Sequence, residues 1–420
     1  MTTILPAATP ISFADIVDWL SSDECRQLDN QSFVAGLGEI LCKAGLPIDR
    51  LAFHIRLPHP ELVGHSCAWA PGEAVEVKLR RHGFLESAAF LGSPLRRVME
   101  TGQSFHTRHD GRDGVAWTHI DIFQGRGLVE HFIAYLGNRE GPSAASFCTA
   151  SPGGFSNLHR NMIERILPLL QSSVELRVLR QAEAILLDTY VGSATARRIL
   201  GGNIRRGQVE TLEAALLLCD LRGFTELSNR LPGARILQLL DIYFDRVVPA
   251  ITQAGGEVLK FMGDAVMAYF AHDDARIAAA AAGEAALSAL SRLAEIELPD
   301  ARLQAGIALH YGEVSYGNIG SEQRLDFTVI GRDVNLLSRI QDACSTMGQP
   351  LLMSKRFADL LGRRETRPIG RRKLKGFTES IELHALHSPE TKVLKQQIDS
   401  AGSSPRNGSP AADPGKLAVA

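Results

Sequence analysis

The chain has 420 residues, of which 45% are hydrophobic and 22% are charged, an ordinary composition for a globular protein with a hydrophobic core. Because single cores rarely extend beyond about 250–300 residues, we expect two folded units. The 45 basic and 47 acidic residues give a net charge of −2, which disfavours nucleic acid and anionic membranes as partners.

The cysteine pattern and the first residues of the chain bear on the cellular location of the protein. Six cysteines are spread along the chain without a C-x-x-C pair, as is typical of reduced thiols in a cytosol. The first residues lack the basic and apolar regions of a signal peptide. The longest small-apolar run, Ile277 to Leu290, contains Glu284 and is shorter than the roughly 20 residues of a membrane span. We therefore expect a cytoplasmic protein without a membrane span.

The front half is expected to hold an N-terminal extension, residues 1–30, and a mixed α/β domain, residues 31–157. Short apolar runs between turn clusters predict the order α, β, β, α, β, β in this domain. His54, His59 and His65 lack a standard metal-ligand spacing, so we expect ordinary structural or surface roles and infer no cofactor from them.

A long amphipathic helix is predicted in the linker, residues 158–211, from apolar residues at three- and four-residue spacing. Ser156 is suited to cap its start. Pro168 is expected to kink the helix or to mark its true first turn, and the glycine pair at 201–202 is expected to end it.

Residues 212–387 alternate strands with helices, which predicts an α/β (α+β) unit. A buried-strand run leads to Asp220, and Asp264 follows a glycine in a turn between two apolar strands. Residues 388–420 are rich in Ser, Pro and Gly and have nothing to bury, so we expect a disordered tail.

Taken singly, the polar residues of this unit are not diagnostic. An Asp after a strand is commonly a cap or turn residue, and Gly-Asp is ordinary in hairpins. Asn335 and Arg339 are four apart on one face of a predicted helix, which alone indicates a solvated surface. Paired carboxylates, however, are the ligands with which two divalent ions, about 3.5–4 Å apart, can bracket a phosphoryl displacement.

Four ordered segments, DLRGFT, KFMGD, ALHYGEVSYGNIG and DFTVIGRDVNLLSRI, followed by a late LKG, resemble the catalytic domain of class III adenylate and guanylate cyclases. The resemblance covers about residues 212–385 and implies a ferredoxin-like βαββαβ fold with additions. It also implies that Asp220 and Asp264, with the backbone carbonyl of Leu221, bind two Mg²⁺ or Mn²⁺ ions in each active site.

The family also assigns roles to the polar pair on the predicted helix. The resemblance implies that Asn335 orients the ribose and that Arg339 stabilises charge at the α-phosphate. A guanidinium suits this role because it is permanently charged and presents a rigid fork of donors. In the family these two residues reach the metal pair of the partner protomer, which implies a homodimer with two composite sites.

Lys260 and Thr328 match the two positions that select the base in this family. A lysine only donates hydrogen bonds, so it suits the ring-nitrogen acceptor of adenine and opposes the ring N–H of guanine. A threonine hydroxyl can accept from the adenine amino group. Guanylate cyclases typically carry Glu and Cys at these positions, so we expect an adenylate cyclase with ATP as substrate.

The triphosphate contact departs from the family pattern. The position that matches the family's triphosphate-binding arginine is Gly306. Lys375, within KLKGF, matches a lysine that contacts the triphosphate in the family, and it is the remaining candidate.

The element order of residues 31–157 resembles a GAF-type sensory domain that feeds a signalling helix. This resemblance implies that an unknown ligand or partner of the N-terminal domain shifts the helix and changes how the two catalytic halves meet.

Three alternatives compete with an adenylate cyclase. A guanylate cyclase shares every feature except Lys260 and Thr328. A non-catalytic nucleotide-binding or dimerisation module is disfavoured because the metal-binding and transition-state residues are all present. GGEV at 255–258 superficially resembles the signature of diguanylate cyclases, but Val258 and Leu259 do not match it.

Overall fold

The computed structural model describes residues 12–109, 123, 125–137, 141–362 and 366–386. Residues 1–11 of the expected extension and the expected tail, 388–420, lie outside the described residues. The chain divides into an N-terminal unit, Met1–Leu187, and a C-terminal unit, Asp188–Ala420.

The described part of the N-terminal unit contains an antiparallel sheet with the strand order β3-β2-β1-β6-β5-β4. Its strands are β1 (Arg50–Arg56), β2 (Leu62–Trp69), β3 (Glu76–Arg81), β4 (Phe105–Arg108), β5 (Glu130–Tyr135) and β6 (Ala144–Thr149). Its helices are α1 (Phe13–Ser21), α2 (Asp23–Gln27), α3 (Asn30–Lys43), α4 (Ala88–Leu91), α5 (Pro94–Thr101) and α6 (Asn157–Val191), with a 3₁₀ turn at His82–Phe84.

One face of this sheet packs against α1, α3 and α6 to form the main core of the unit. Residues 13–27, which the sequence places in an extension, form α1 and α2. Ile16, Leu20 and Cys25 from these helices are buried in the same core as Phe33 of α3.

The predicted order α, β, β, α, β, β lacks two of the strands that the structure contains. Polar residues in and beside the strands hide them from a pattern search. One missing strand is among β1 to β3, where the order has two strands: the middle of β2 reads Gly-His-Ser, and every second residue of β3 is charged. The other is β4, which has only four residues.

The predicted linker helix exists, and Ser156 caps it as expected, because its Oγ accepts from a backbone N–H of the first turn at 3.2 Å. Pro168 lies inside α6, well beyond the first turn. The helix does not run unbroken to residue 200. Gly192, at φ 83°, separates α6 from the short helix α7 (Ser193–Leu200).

The described C-terminal unit contains a larger sheet with the order β13-β14-β12-β10-β7-β9-β8, and β11 pairs with β10. Its strands are β7 (Val209–Leu221), β8 (Glu257–Met262), β9 (Ala265–Phe270), β10 (Ala305–Gly320), β11 (Leu325–Ile330), β12 (Leu351–Ser354), β13 (Thr366–Lys373) and β14 (Ser380–Leu386). The helices after α7 are α8 (Phe224–Arg230), α9 (Gly233–Gln253), α10 (Ala275–Ala294), α11 (Arg332–Thr346) and α12 (Lys355–Leu361).

The first part of this unit runs β7-α9-β8-β9-α10-β10, and its strands lie in the order β10-β7-β9-β8 with antiparallel neighbours. This is the βαββαβ arrangement of a ferredoxin-like unit, as the sequence predicts. Helices α9, α10 and α12 cover one face of the sheet, and α11 covers the other. The end of β7 is therefore held between two packed layers, while the tip of the β8–β9 hairpin is exposed.

Helix α10 is, among the described residues, long and apolar enough to cross a membrane by length and composition alone. In the fold its small side chains pack against the sheet instead, since Ala279, Ala282, Ala285 and Ala286 are fully buried there.

Candidate active site

Asp220 lies near the end of β7, the strand that is buried on both faces. Alternate side chains of the run 214–218 pack against the α9–α10 layer and against α11, which explains why the sequence reads as continuously apolar. Asp220 itself is half-buried. The chain leaves the strand through Gly223, whose φ of 69° is a conformation that glycine adopts without strain.

Asp264 lies in the tight turn between β8 and β9. The two strands pair up to the residues that flank Gly263 and Asp264, and Gly263 adopts φ 66° as such a turn requires. Strand β9 also pairs with β7, with Val266 opposite Cys219. This register brings Asp264 beside Asp220.

The two carboxyl groups are close enough to hydrogen-bond. Burial first, and the hydrogen bond with Asp264 second, raise the pKa of Asp220 to about 7. The charge of Asp342 on α11 acts in the same direction. In the part of the chain that the structure describes, no ion pair joins either aspartate to a basic side chain. The pair is thus an uncompensated concentration of negative charge.

This donor set suits a hard divalent cation. A cation beside the two carboxyls would relieve the raised cost of ionising Asp220, and such cations prefer oxygen ligands. The side chain of Leu221 is buried in the core, so at this edge the residue can offer its main-chain carbonyl. No cluster of three ligating His, Cys, Asp or Glu side chains occurs among the described residues. Magnesium commonly binds through one or two carboxylates and completes its shell with substrate phosphates and water, so the residues present fit this ion.

Lys260 and the strand of Thr328 are brought together, although they are distant in sequence. The Lys260 ammonium, on β8, forms an ion pair with Asp326 on β11 at 2.8 Å. Thr328 lies two residues further along β11, where it is half-buried and pairs with Gly317 of β10. The two predicted base-selecting residues therefore lie on strands that are not paired with each other, and the ion pair between Lys260 and Asp326 links these strands.

Asn335 and Arg339 lie on α11, on the helical face that the sequence predicts. Asn335 is exposed, whereas Arg339 is half-buried and donates to Asp342 at 2.8 Å. Among the described residues, no hydrogen bond or ion pair connects Asn335 or Arg339 to the aspartate pair of the same chain. Within one protomer the two groups of predicted site residues are not joined.

Two residues that the sequence reasoning missed anchor the start of α11. His310 is buried on β10, with its Nδ1 2.6 Å from Ser354 Oγ and its Nε2 3.4 Å from Asp333 Oδ1. Asp333 also accepts from the Glu313 backbone N–H at 2.8 Å. The hydrogen bond with His310 is the main reason that the pKa of Asp333 is lowered. Because Asp333 precedes Asn335 by two residues, this contact sets where the polar face of α11 begins.

Gly312 is the residue from which the sequence could have indicated this contact. A Cβ on Gly312 would lie 2.0 Å from the Asp333 carboxylate, so no other residue fits without displacing α11. The spacing H-x-G before a G-x-D helix start could have indicated the contact.

Gly306 lies on β10 directly opposite Asp220. A Cβ there would lie 3.1 Å from Gln341 Nε2 and 3.5 Å from Arg222 Nε, so packing against α11 leaves little room for an arginine. Arg222 donates to the main-chain carbonyls of Cys344 and Gln349 and is thus engaged in holding the end of α11. The departure from the family pattern is consistent with this packing.

Lys375 lies in the turn between β13 and β14. Leu374, its neighbour, is buried in the core, which fixes the position of the turn, while Lys375 itself is exposed. Among the described residues, no hydrogen bond or ion pair brings Lys375 to the other predicted site residues.

Comparison with known proteins identifies the domain. Residues 208–388 match the family described as adenylate and guanylate cyclase catalytic domain. The chain is 34% identical over 160 residues to an adenylate cyclase of Anabaena cylindrica, a match that covers 36% of this chain and 32% of that protein. It is 29% identical over 179 residues to the photoactivated adenylate cyclase subunit beta of Euglena gracilis, covering 42% of this chain and 21% of that protein. The chain thus spans no more than about a third of the length of these curated relatives.

Two solved structures are similar to part of the chain. The adenylyl cyclase CyaB from P. aeruginosa is 27% identical, with a TM-score of 0.38, and the match covers 43% of this chain and 96% of that one. The guanylyl cyclase Cya2 is 30% identical, with a TM-score of 0.38, covering 43% and 94%. On the family match and the sequence relatives, residues 208–388 form an adenylate and guanylate cyclase catalytic domain.

Proposed function

We propose that this protein is an adenylate cyclase that converts ATP into 3′,5′-cyclic AMP and pyrophosphate. The observation that carries the proposal is the pair Asp220 and Asp264, two adjacent carboxyls without a basic partner among the described residues, in a domain of the cyclase family. Two Mg²⁺ or Mn²⁺ ions held by these carboxylates and the Leu221 carbonyl would supply activation of the ribose 3′-hydroxyl and neutralisation of the triphosphate.

The reaction forms one bond and breaks one. The ribose 3′-oxygen attacks the α-phosphorus, the bond from the α-phosphorus to the bridging oxygen breaks, and pyrophosphate leaves while the hydroxyl proton passes to solvent. Asn335 orients the ribose. Arg339 stabilises the charge that develops at the α-phosphate, because its guanidinium is permanently charged and can donate hydrogen bonds to two oxygens at once. Lys375 contacts the triphosphate as a mobile point charge.

Lys260 and Thr328 select adenine over guanine. The ammonium of Lys260 donates to the adenine ring nitrogen, and the Thr328 hydroxyl accepts from the amino group. The ion pair of Lys260 with Asp326 supports this role because it holds the lysine beside β11. A guanine base would present its ring N–H to a side chain that cannot accept it.

The active sites are composite and form in a homodimer. Phe261, Met262 and Ile330 are large apolar side chains that are exposed on β8 and β11, the strands that carry Lys260 and Thr328. Clustered apolar side chains beside a half-assembled site are typical of a surface that a second copy covers. Asn335 and Arg339 of one protomer then complete the metal pair of its partner.

The region before the catalytic domain regulates it. We assign residues 31–157 to a sensory domain, 158–211 to a signalling segment and 212–387 to the catalytic domain. Helix α7 supports this assignment, since Thr195 Oγ1 lies 2.6 Å from Tyr316 Oη and Arg197 pairs with Glu257 at 3.4 Å. Glu257 lies on β8, the strand of Lys260, so a shift of α7 would be felt at the site. We propose a cytoplasmic location because the six cysteines are free and because the proposed reaction requires ATP.

The decisive assay offers ATP and GTP separately, with Mn²⁺, to the full chain and measures both cyclic nucleotides. We expect cyclic AMP from ATP, little product from GTP, and no activity from Asp220→Ala. Asp273→Ala, which removes an exposed carboxylate of the same domain, is the matched control and should remain active. Equal turnover of GTP would overturn the choice of base, and a folded but inactive wild type would overturn the enzyme assignment.

Composite sites are tested by mixing an Asp264→Asn chain with an Arg339→Ala chain. Each is expected to be inactive alone, whereas the heterodimer would contain one intact site. Recovery of cyclic AMP synthesis supports the shared site. Absence of recovery in heterodimers verified by mass would contradict it.

A further inference from the structure

The N-terminal unit contains an open cavity, a cleft with about 410 Å³ of empty space, part of which is bulk solvent. It lies between strands β1 to β3 and the short elements that follow them along the chain. A small ligand in this cavity would be partly enclosed by the walls and partly exposed to solvent. The lining residues that bear on its chemistry are His54, Arg56, Ser66, Arg80, Phe84 and Phe90.

A cross-strand row of Arg56, Gly64 and Arg80 forms part of the cavity floor. Arg56 on β1 is opposite Gly64 on β2, which is in turn opposite Arg80 on β3. Neighbouring strands lie about 4.8 Å apart, so the two arginines start about 10 Å from each other. Gly64 has no side chain, and a Cβ there would collide with the Ile55 carbonyl at 2.0 Å. The glycine therefore allows the close approach of β1 and β2, and no side chain stands between Arg56 and Arg80 in this row.

Neither arginine has a carboxylate partner in the part of the chain that the structure describes. Arg80 is half-buried and stacks on the Phe84 ring, with 4.4 Å from Cζ to the ring centroid. Burial lowers its pKa, and the negative charge of Glu76 on the same strand offsets this only in part. Arg56 is exposed at the mouth. Two cations that face one cavity favour an anion inside it.

The next row of the floor supplies neutral hydrogen-bonding groups. His54 lies opposite Ser66, and both line the cavity. Burial, and then the charges of Arg50 and Arg80, lower the pKa of His54 to about 3, so the imidazole is neutral. Its Nε2 lies 3.3 Å from Ser146 Oγ, which leaves the other ring nitrogen for a ligand. Lys78 continues this row on β3, but it forms an ion pair with Glu76 and does not line the cavity, so Arg56 and Arg80 are the cations of the lining.

The opposite wall is apolar. Phe84, Leu85 and Phe90 come from the 3₁₀ turn and α4, and Leu95 and Met99 come from α5. A ligand that satisfies both walls carries an anionic group at one end and an apolar body at the other.

We propose that this cavity binds a small carboxylate with an apolar body, its carboxylate on Arg80 and Arg56 and its body against the wall of Phe90 and Leu95. A guanidinium fork matches a carboxylate geometrically, and aromatic and aliphatic side chains match the body. The inference deepens the regulatory part of the proposed function, but binding can be measured without nucleotide and does not depend on cyclase activity.

The test uses calorimetry and thermal unfolding of the full chain with benzoate and hexanoate as probes. Benzamide is the neutral match for benzoate. Phenyl phosphate tests whether the cavity prefers a phosphate to a carboxylate. We expect either carboxylate to bind at millimolar concentration or better and to raise the unfolding temperature, with benzamide at least about tenfold weaker because the charge is absent.

Substitutions of the arginines test where the carboxylate binds. Arg80→Gln should weaken carboxylate binding at least about tenfold, and Arg56→Gln, at the exposed mouth, by a smaller factor. Arg81→Gln changes the next, exposed residue of β3 and should leave binding unchanged.

Four results would overturn the proposal. They are no heat and no thermal shift with both carboxylates at about 10 mM, equal binding of benzamide, tighter binding of phenyl phosphate than of benzoate, and unchanged binding in folded Arg56→Gln and Arg80→Gln chains. The cyclase assay with ATP is independent of these outcomes, so failure of the cavity and failure of the enzyme assignment remain distinguishable.

Discussion

Each unit of this protein contains a carboxyl group that is at least half-buried, and the charges around these two groups have opposite signs. In the N-terminal unit, Glu130 is fully buried and is met by His106 Nε2 at 2.5 Å, Arg108 Nη1 at 3.2 Å and Arg160 Nη2 at 3.3 Å. In the C-terminal unit, the neighbour of Asp220 is another carboxyl, Asp264, which helps to raise its pKa.

The contrast separates a carboxylate whose partners are all within the chain from the one that we propose to bind metal. The cations around Glu130 lie on β4 and α6, so the cluster of charges joins the edge of the sheet to the start of the long helix and is complete within the chain. Asp220 is left uncompensated in the described part of its unit, which costs stability in the absence of a cation. Four experiments use this difference, and their expected effects descend in size.

Removing the charge of Glu130 should give the largest loss of stability. Glu130→Gln removes the charge of a fully buried carboxylate and leaves its half-buried partners without it, so we expect a loss of about 3 kcal/mol, the lower end of the range for a broken buried ion pair. Thermal unfolding should show a transition at least about 6 °C lower. Glu76→Gln removes the half-exposed pair with Lys78 and serves as the control with little change. An unchanged midpoint for Glu130→Gln would show that the cations do not depend on it.

Mn²⁺ should stabilise the wild-type protein by the next largest amount. At about 100 times its dissociation constant, an ion that binds the folded state alone adds about 2.7 kcal/mol, or about 5–10 °C in the midpoint. Asp220→Asn should lose this response because one of the two carboxylates is gone. If the variant were stabilised as much as wild type, the ion would bind elsewhere.

The same substitution should stabilise the metal-free protein. The folded-state pKa of Asp220, about 7, lies above the usual value of about 3.9, so the folded state binds the proton more tightly than the unfolded state does. Wild-type stability therefore falls as the pH rises between these two values. Asp220→Asn should raise the free energy of unfolding by about 1–2 kcal/mol at pH ~8 and by less at pH ~5. A gain that grew towards acid pH would contradict an origin in the raised pKa of Asp220.

The smallest effect is expected at the ion pair between Lys260 and Asp326. Asp326 is 64% exposed, and such pairs contribute about 0–1 kcal/mol. Asp326→Asn should leave the unfolding midpoint unchanged, while KM for ATP rises about two- to fivefold and discrimination against GTP weakens, because Lys260 is no longer held beside β11. Kinetics with both nucleotides measure this, and an unchanged ratio would mean that the pair does not orient the lysine.

Sequence patterns predicted the strands of the C-terminal unit far better than those of the N-terminal unit. In the C-terminal unit the strands are continuous apolar runs or follow glycine turns, so β7 and the hairpin around Asp264 follow from local spacing. In the N-terminal unit, β2 and β3 place His65, Ser66 and Lys78 within strands, and this polarity hid one of the two strands. His65 and Ser66 line the cavity, whose floor these strands form in part.

The sequence by itself determined the local elements and the identity of the domain, because the aspartates, the helix with Asn335 and the glycine turns follow from short-range spacing and from ordered motifs. Tertiary structure alone decided which of these residues meet. Pairing of β9 with β7 brings Asp264 to Asp220, and pairing of β1, β2 and β3 places Gly64 between Arg56 and Arg80. Strand register is set by contacts between residues far apart in the chain, so periodicity within one segment does not contain it.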